Sequence, residues 1–364
     1  SILDGAIANN AKENAKKFVR LLKKFYRESN CKEFFKANEE LYNQTSESFY
    51  PVYKELDLHW YESFYGKDPD EKFIIINAPG NGGGNYGPSI TLKNGKREVY
   101  AIMGTWNTGK DGSAVFSFDG FFSTLLHEFN HSFINYLVDK NINTFQQSGD
   151  KIYTVVSDQM QRQAYGNWAT VIKESLVRSA VIKYMQDHGF EQDKIDKEIM
   201  SQLLRGFLWI KDLVGELNKY SSAREIYPTL ESYMPNIAEA FEIYAENIET
   251  YKNEFESKQA KVVSISEFQN GDKNVSPEIK TITINFDRPL SDKGYSLEYG
   301  EQGEKSFPGI KRVTFSEDKK SVVLEVCLEE NEEYDFILSG HSFKTADGIP
   351  IKNHEVKFCT KRSQ

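Results

Sequence analysis

The 364 residues are 39% hydrophobic, 13% aromatic and 27% charged, with a mean hydropathy of -0.58, which is the make-up of a folded chain rather than a disordered or low-complexity one. The 45 Lys and Arg stand against 54 Asp and Glu, and a net charge of -9 repels a phosphate backbone, so nucleic acid is not an expected partner. No stretch reaches the ~18 to 20 apolar residues of a transmembrane segment, and Cys31, Cys327 and Cys359 are too few for a disulfide framework.

From about Asn9 to Glu28, Phe18, Leu21, Leu22 and Phe25 recur at three and four, predicting an amphipathic helix with the Lys16 to Lys24 run on its solvated face. A second helix is predicted from Lys32 toward Leu56, broken or kinked at Pro51, and a short third over Asp57 to Tyr65, closed by Gly66. Four β-type runs follow: Lys72 to Asn77, Ser89 to Leu92, Glu98 to Met103 and Ala114 to Phe118. The Gly-rich segment Pro79 to Asn85 lacks the Lys-Ser/Thr ending of a phosphate loop and has no helix directly behind it, so it predicts a flexible hairpin loop. Helical spacing returns over Phe121 to Val138, Asn167 to His188 before Gly189, Lys194 to Leu217, and Pro235 to Glu256 with Pro235 in the first turn.

Beyond Ser257 the period changes from helical to two, with alternating runs at Lys261 to Ser266, Lys280 to Phe286, Lys311 to Phe315, Ser321 to Val326, Glu333 to Leu338 and Glu355 to Cys359. A boundary near residue 258 separates two domains, 1–258 and 259–364, the second read as an all-β sandwich. Asn274-Val-Ser-Pro277, Ile282 to Leu290, Val313 to Asp318, Glu333 to Phe336 and Phe358-Cys-Thr360 together resemble bacterial Ig-like domains. That resemblance implies a spacer or binding accessory, and a cell-surface partner for it.

His127-Glu128-Phe129-Asn130-His131 is an HExxH sequence within a helical stretch. Four residues turn through about 400° and rise about 6 Å, so both imidazoles can close on one ion. Glu128 is turned about 100° from His127 and can serve as general base without being a principal ligand. Phe122, Leu126, Phe129, Phe133 and Leu137 form a stripe that faces the core, leaving His127 and His131 toward a cleft, with Asp119 a plausible cap. A helix behind a small sheet is the arrangement of zincin peptidases.

A catalytic zinc needs a third protein ligand. Position 137 is Leu and position 134 is Ile, so the metzincin pattern is excluded. Asp139 lies about 12 Å along the helix from His131, too far to share the ion, and Asp150 and Asp158 stand in loop-like sequence. Glu174 sits mid-helix among apolar residues, where it serves either as the ligand that gluzincins present from a second helix or as the i,i+4 partner of Arg178. The segments Phe73 to Asn77, Asn85-Tyr-Gly87, Leu126 to Asn135 and Lys173 to Arg178, followed by an Ig-like module, resemble a domain-of-unknown-function family of Bacteroides-type gut bacteria. That family looks like gluzincin metallopeptidases whose members look exported, often as lipoproteins. The resemblance implies Glu174 as third ligand and an extracellular, cell-surface or periplasmic location.

The expectation is therefore an α+β zincin-like catalytic domain, mostly helical with a small sheet, followed by an Ig-like sandwich. It would use Zn2+ on His127, His131 and Glu174, with Glu128 as base, to hydrolyse a peptide or protein substrate. Tyr165, Tyr227 and Tyr233 are equivalent candidates for stabilising the oxyanion. The alternative is a catalytically inactive zincin-like protein used for surface binding or adhesion.

Overall fold

The sequence periods condense into alternating helical and β segments in a computed structural model, which describes residues 2–66 and 71–362, with side chains from residue 12 onward. It is an α+β protein with a helical N-terminal part and a C-terminal part of small antiparallel sheets. The chain divides into two compact units, Ser1–Ile199 with Ile210–Ala245, and Met200–Trp209 with Glu246–Gln364.

The first unit opens with α1 (Ile2–Glu28), α2 (Cys31–Ala37) and α3 (Glu39–Tyr53). The single helix predicted from Lys32 is cut at Asn38, whose φ of -110° and ψ of 16° leave helical geometry, while Pro51 is accommodated in the last turn of α3. A short α4 (His59–Tyr65) stops at Gly66, whose positive φ of 72° and position against the Pro228 carbonyl, 2.2 Å from an added Cβ, both require glycine.

Three strands follow, β1 (Lys72–Ala78), β2 (Ser89–Thr91) and β3 (Arg97–Gly104), in the order β1-β3-β2. The β1/β3 pair is parallel and the β2/β3 pair antiparallel. Pro79 to Asn85 is therefore not a hairpin loop; it carries the chain across β3 to its far edge. The carbonyls of Gly82 and Gly84 come within 2.3 and 2.4 Å of where a Gly104 Cβ would stand, so this crossing is possible only at glycine. The fourth run, Ala114 to Phe118, is not a strand. It makes one bridge, Thr108 to Ala114, and buries Ala114 and Phe116 but not Val115, so its alternation belongs to an extended lead-in to the next helix.

The rest of the unit comprises α5 (Phe118–Lys140), α6 (Ile142–Gln161), α7 (Trp168–Asp187), α8 (Gln192–Leu204, running into the second unit), α9 (Ile210–Ser222) and α10 (Leu230–Glu246). The helix predicted over Lys194 to Leu217 is split near Gly206, where φ is 95°. α10 begins before Pro235, which lies inside the helix rather than in its first turn. α6 escapes sequence reading because its buried stripe of Phe145, Ile152, Val156 and Met160 is interrupted at Ser148 and Gly149. A Cβ on Gly149 would stand 2.5 Å from the Trp168 ring, so packing demands a small residue there. α7 packs against α5, α6 and α9 and is buried on all sides, as its near-continuous Val171, Ile172, Leu176, Val177, Val181 and Ile182 dictate.

In the second unit, α11 (Ile248–Lys258) precedes β4 (Val262–Ile265), β5 (Thr281–Phe286), β6 (Leu297–Tyr299), β7 (Gly309–Phe315), β8 (Ser321–Cys327), β9 (Glu333–Leu338) and β10 (His354–Cys359). They form sheets β4-β5-β8-β7 and β10-β9-β6, in which every strand pair is antiparallel. Alternation turns Ile282, Ile284 and Phe286 of one sheet and Phe336, Leu338 and Val356 of the other into one hydrophobic cluster. β6 has three residues, too few for an alternating signal in the sequence.

Candidate metal centre

α5 is started by Ser117, whose extended backbone lets its hydroxyl accept from Gly120 N, and not by Asp119, which lies in the first turn and pairs with Lys194 at 2.9 Å. Burial of Phe122, Leu126, Phe129, Phe133 and Leu137 sets the rotation of the helix. His127 and His131 then stand one turn apart, half-buried, with Nε2 atoms 3.1 Å from each other. The Asn135 side-chain Oδ1 lies 3.3 Å from His131 Nδ1 and can only accept, so Nδ1 donates in this pair and the Nε2 lone pair is left for an ion.

The third member comes from α7, which is capped by Asn167 through a 2.9 Å bond from Thr170 N and packs directly on α5. Glu174, 6% exposed, places Oε1 3.4 Å from His131 Nε2 and Oε2 3.6 Å from His127 Nε2. Oε2 also accepts from the Tyr165 hydroxyl at 3.0 Å and from Arg178 at 2.9 Å, and Arg178 donates to the Tyr165 oxygen at 2.7 Å. The two uses of Glu174 that its sequence position allowed therefore coexist, Oε1 facing His131 and Oε2 shared between His127 and Arg178. The buried guanidinium offsets the cost of placing a carboxylate among apolar side chains.

The donor set fits a divalent cation. Potential ligand atoms of His127, His131 and Glu174 all lie within 4.8 Å of one another. The two Nε2 atoms at 3.1 Å, and Oε1 at 3.4 Å from His131 Nε2, are close to the ~3.3 Å edge of a tetrahedron built on ~2.0 to 2.1 Å bonds, while the approach to His127 Nε2 at 3.6 Å is made by Oε2. Two nitrogens and one carboxylate oxygen are the ligands that zinc accepts in catalytic sites, with a fourth position left over.

Glu128 is buried, 6% exposed, and burial first, then the Glu174 charge, push its carboxyl up to about 8, with Arg178 pulling the other way. A cation between the histidines would oppose that rise. The β2 side of the sheet meets α5 at this residue: a Cβ on Gly87 would stand 1.9 Å from the Glu128 carbonyl oxygen. Arg97 of β3 donates to Glu71 at 2.8 Å, to the Ser89 hydroxyl at 3.1 Å and to the Ser132 carbonyl of α5, tying strand edge and helix together. Within the motif, buried Asn130 accepts from the Tyr65 hydroxyl at 2.9 Å and donates to the Val177 carbonyl at 3.4 Å, so it sets α5 against α7. Gly87, Arg97 and Asn130 went unremarked in the sequence as positioning residues, since each acts through a contact with a distant segment of the chain.

Other candidates are placed elsewhere. Asp139 pairs with Lys173 at 2.6 Å, and Asp150 and Asp158 are exposed on α6, which is helix and not loop. His59 is exposed, and His188 contacts Asp57 at 3.2 Å and stacks on Tyr184. Of the three tyrosines, Tyr165 contacts Glu174 directly, whereas Tyr233 donates to Glu216 at 2.6 Å and packs its ring on Tyr227. Tyr165 is delivered by the end of α6, where Ala164 adopts a left-handed φ of 65° and the Tyr165 amide returns to the Met160 carbonyl at 3.0 Å.

The profile of a family described as a domain of unknown function (DUF4932) matches residues 1–240, which contain the whole site. No curated protein matches the chain. Among solved structures, CopC from Methylosinus trichosporium OB3b aligns at 14% identity and a TM-score of 0.24, covering 29% of this chain and 97% of that one. The bacterial S-layer protein SbsC aligns in rSbsC(31-844) at 14% identity and a TM-score of 0.22, covering 71% of this chain and 36% of that one. Its N-terminal part aligns at 13% identity and a TM-score of 0.21, covering 66% and 57%. Likenesses this weak carry no argument about the chain.

Proposed function

The chain belongs to the DUF4932 family, and we propose that this member is a zinc-dependent, gluzincin-type peptidase built on a zincin-like domain. The observation that carries the reading is the convergence of His127, His131 and Glu174 donor atoms beside a buried Glu128. His127, His131 and Glu174 would hold the ion. Zinc in such a site supplies Lewis acidity toward a carbonyl and makes water a better nucleophile near neutral pH.

The remaining chemistry falls to side chains. Glu128 takes the proton of the attacking water on its carboxylate and passes it to the leaving amine. Tyr165 and Arg178 hold Glu174 Oε2, leaving Oε1 as the ligating oxygen; the single Tyr165 hydroxyl proton is engaged by Oε2 and reaches a developing oxyanion only by leaving it. β2 is an exposed edge of the sheet, and an extended peptide can add to it through main-chain hydrogen bonds, close to Glu128 because Gly87 stands directly against that residue. The second unit is read as an Ig-like sandwich that serves as spacer or surface-binding accessory, and the protein as exported, at the cell surface or in the periplasm.

Metal analysis of the purified protein combined with cleavage of a peptide library tests the reading. Stoichiometric zinc with cleavage abolished in Glu128→Gln supports it. Zinc without cleavage of any peptide favours the zincin-like binding or adhesion protein, and absence of metal after zinc loading removes the peptidase and leaves that alternative.

A further inference from the structure

α1 exposes the wrong face for a helix of a finished core. Every residue from Lys12 to Asn30 is exposed, including the whole apolar stripe, with Phe18 64% and Phe25 60% accessible. At about 100° per residue, Phe18, Val19, Leu21, Leu22, Phe25 and Tyr26 fill one arc of about 160° that contains no charge. The opposite arc is centred on Lys16, Arg20, Lys23 and Arg27, and residues 12–28 carry seven Lys and Arg against Glu13 and Glu28. In a chain of net charge -9, this is a concentrated reversal of sign.

We propose that α1 lies in the surface of an anionic phospholipid membrane, its Phe18, Leu22 and Phe25 face sunk among the acyl chains and its Lys and Arg paired with headgroup phosphates. A wide apolar arc of aromatic and aliphatic residues with a cationic polar face is what an interfacial helix needs. Charge complementarity selects this occupant over a second copy of the chain. The borders of the apolar arc carry an excess of basic charge, Lys12, Lys16 and Lys23 on one side and Lys17 and Lys24 beside Glu28 on the other, so two such helices packed face to face would bring mostly like charges together. Anionic lipid pairs with the same borders. Among the described residues no helix is long and apolar enough to cross a membrane.

The test is flotation of the whole protein with vesicles of phosphatidylcholine alone and of phosphatidylcholine mixed with phosphatidylglycerol, beside sedimentation velocity without lipid. The proposal requires binding to the mixed vesicles only. It also requires a loss of at least about tenfold in partitioning for Leu22→Ser with Phe25→Ser and for Lys16→Glu with Lys23→Glu, and a similar loss at high salt. Because all four positions are exposed, melting temperature and metal content should match those of the unaltered protein. Equal binding to both vesicle types, no binding to either, or a lipid-free dimer dissolved by Leu22→Ser overturns it.

Discussion

Arg178 and Glu174 form a buried ion pair of 2.9 Å one helical turn apart, and the carboxylate so held presents its other oxygen to His131 at 3.4 Å. The cation that makes burial of Glu174 tolerable thus also orients it toward the histidines. Glu174→Gln should reduce zinc affinity severely, since the site loses its one anionic donor. Arg178→Ala should weaken binding less, by about 10- to 100-fold, the usual scale for a partner that orients a ligand. Competition with a chromophoric chelator measures both; equal affinity in Glu174→Gln and the parent protein would remove Glu174 from the site.

Glu128→Gln keeps the size of the side chain and removes its basicity. It should bind zinc as the parent protein does while losing about 10²- to 10⁴-fold in kcat. His127→Ala and His131→Ala should each lose the metal itself. Metal content and peptide cleavage measured on the same preparations separate the two outcomes.

The three tyrosines divide by their contacts. Tyr165→Phe removes the hydroxyl on Glu174 Oε2 and should lower kcat and zinc affinity together, whereas Tyr227→Phe and Tyr233→Phe should leave both unchanged. Tyr233→Phe should instead cost about 1 kcal/mol of stability through its lost bond to Glu216. A Tyr165→Phe enzyme with unaltered turnover contradicts the role given to that hydroxyl.

Gly87 is expected to tolerate no side chain, because the nearest obstacle is the backbone oxygen of Glu128 and not a flexible side chain. Gly87→Ala should destabilise the protein by about 1 to 3 kcal/mol and displace β2 or α5 at the general base. A fall in melting temperature accompanied by reduced kcat would match; an unchanged protein would contradict the close approach of Gly87 to the Glu128 backbone.

The second unit holds a core cluster drawn wholly from residues between Ala260 and Phe358. A fragment of residues 259–364 should fold by itself, with dispersed amide resonances and a cooperative melt. Leu324→Ala, at a fully buried position, should cost it about 2 to 5 kcal/mol. A disordered fragment would show that the unit needs residues before 259.

What the sequence by itself determined is what depends on local period. Spacing of four put His127 and His131 on one face with Glu128 offset, the stripe from Phe122 to Leu137 aimed that helix, and alternation marked six of the seven strands beyond residue 258. Local signals failed where packing spoke instead: α6 is hidden because Trp168 requires Gly149 in its buried face, and the Gly-rich crossing between β1 and β2 looks like a hairpin until β1 is seen to run parallel to β3. Glu174 is the last of four carboxylates in the 43 positions after His131, singled out by its helical setting and by resemblance. Its approach to the histidines is decided by the packing of α7 on α5, with Asn130 bridging the two helices. The same tertiary arrangement separates Tyr165 from Tyr227 and Tyr233 and brings Gly87 onto Glu128, 41 positions away. Such contacts join segments far apart in the chain, and the chemistry of each residue type alone contains no distance.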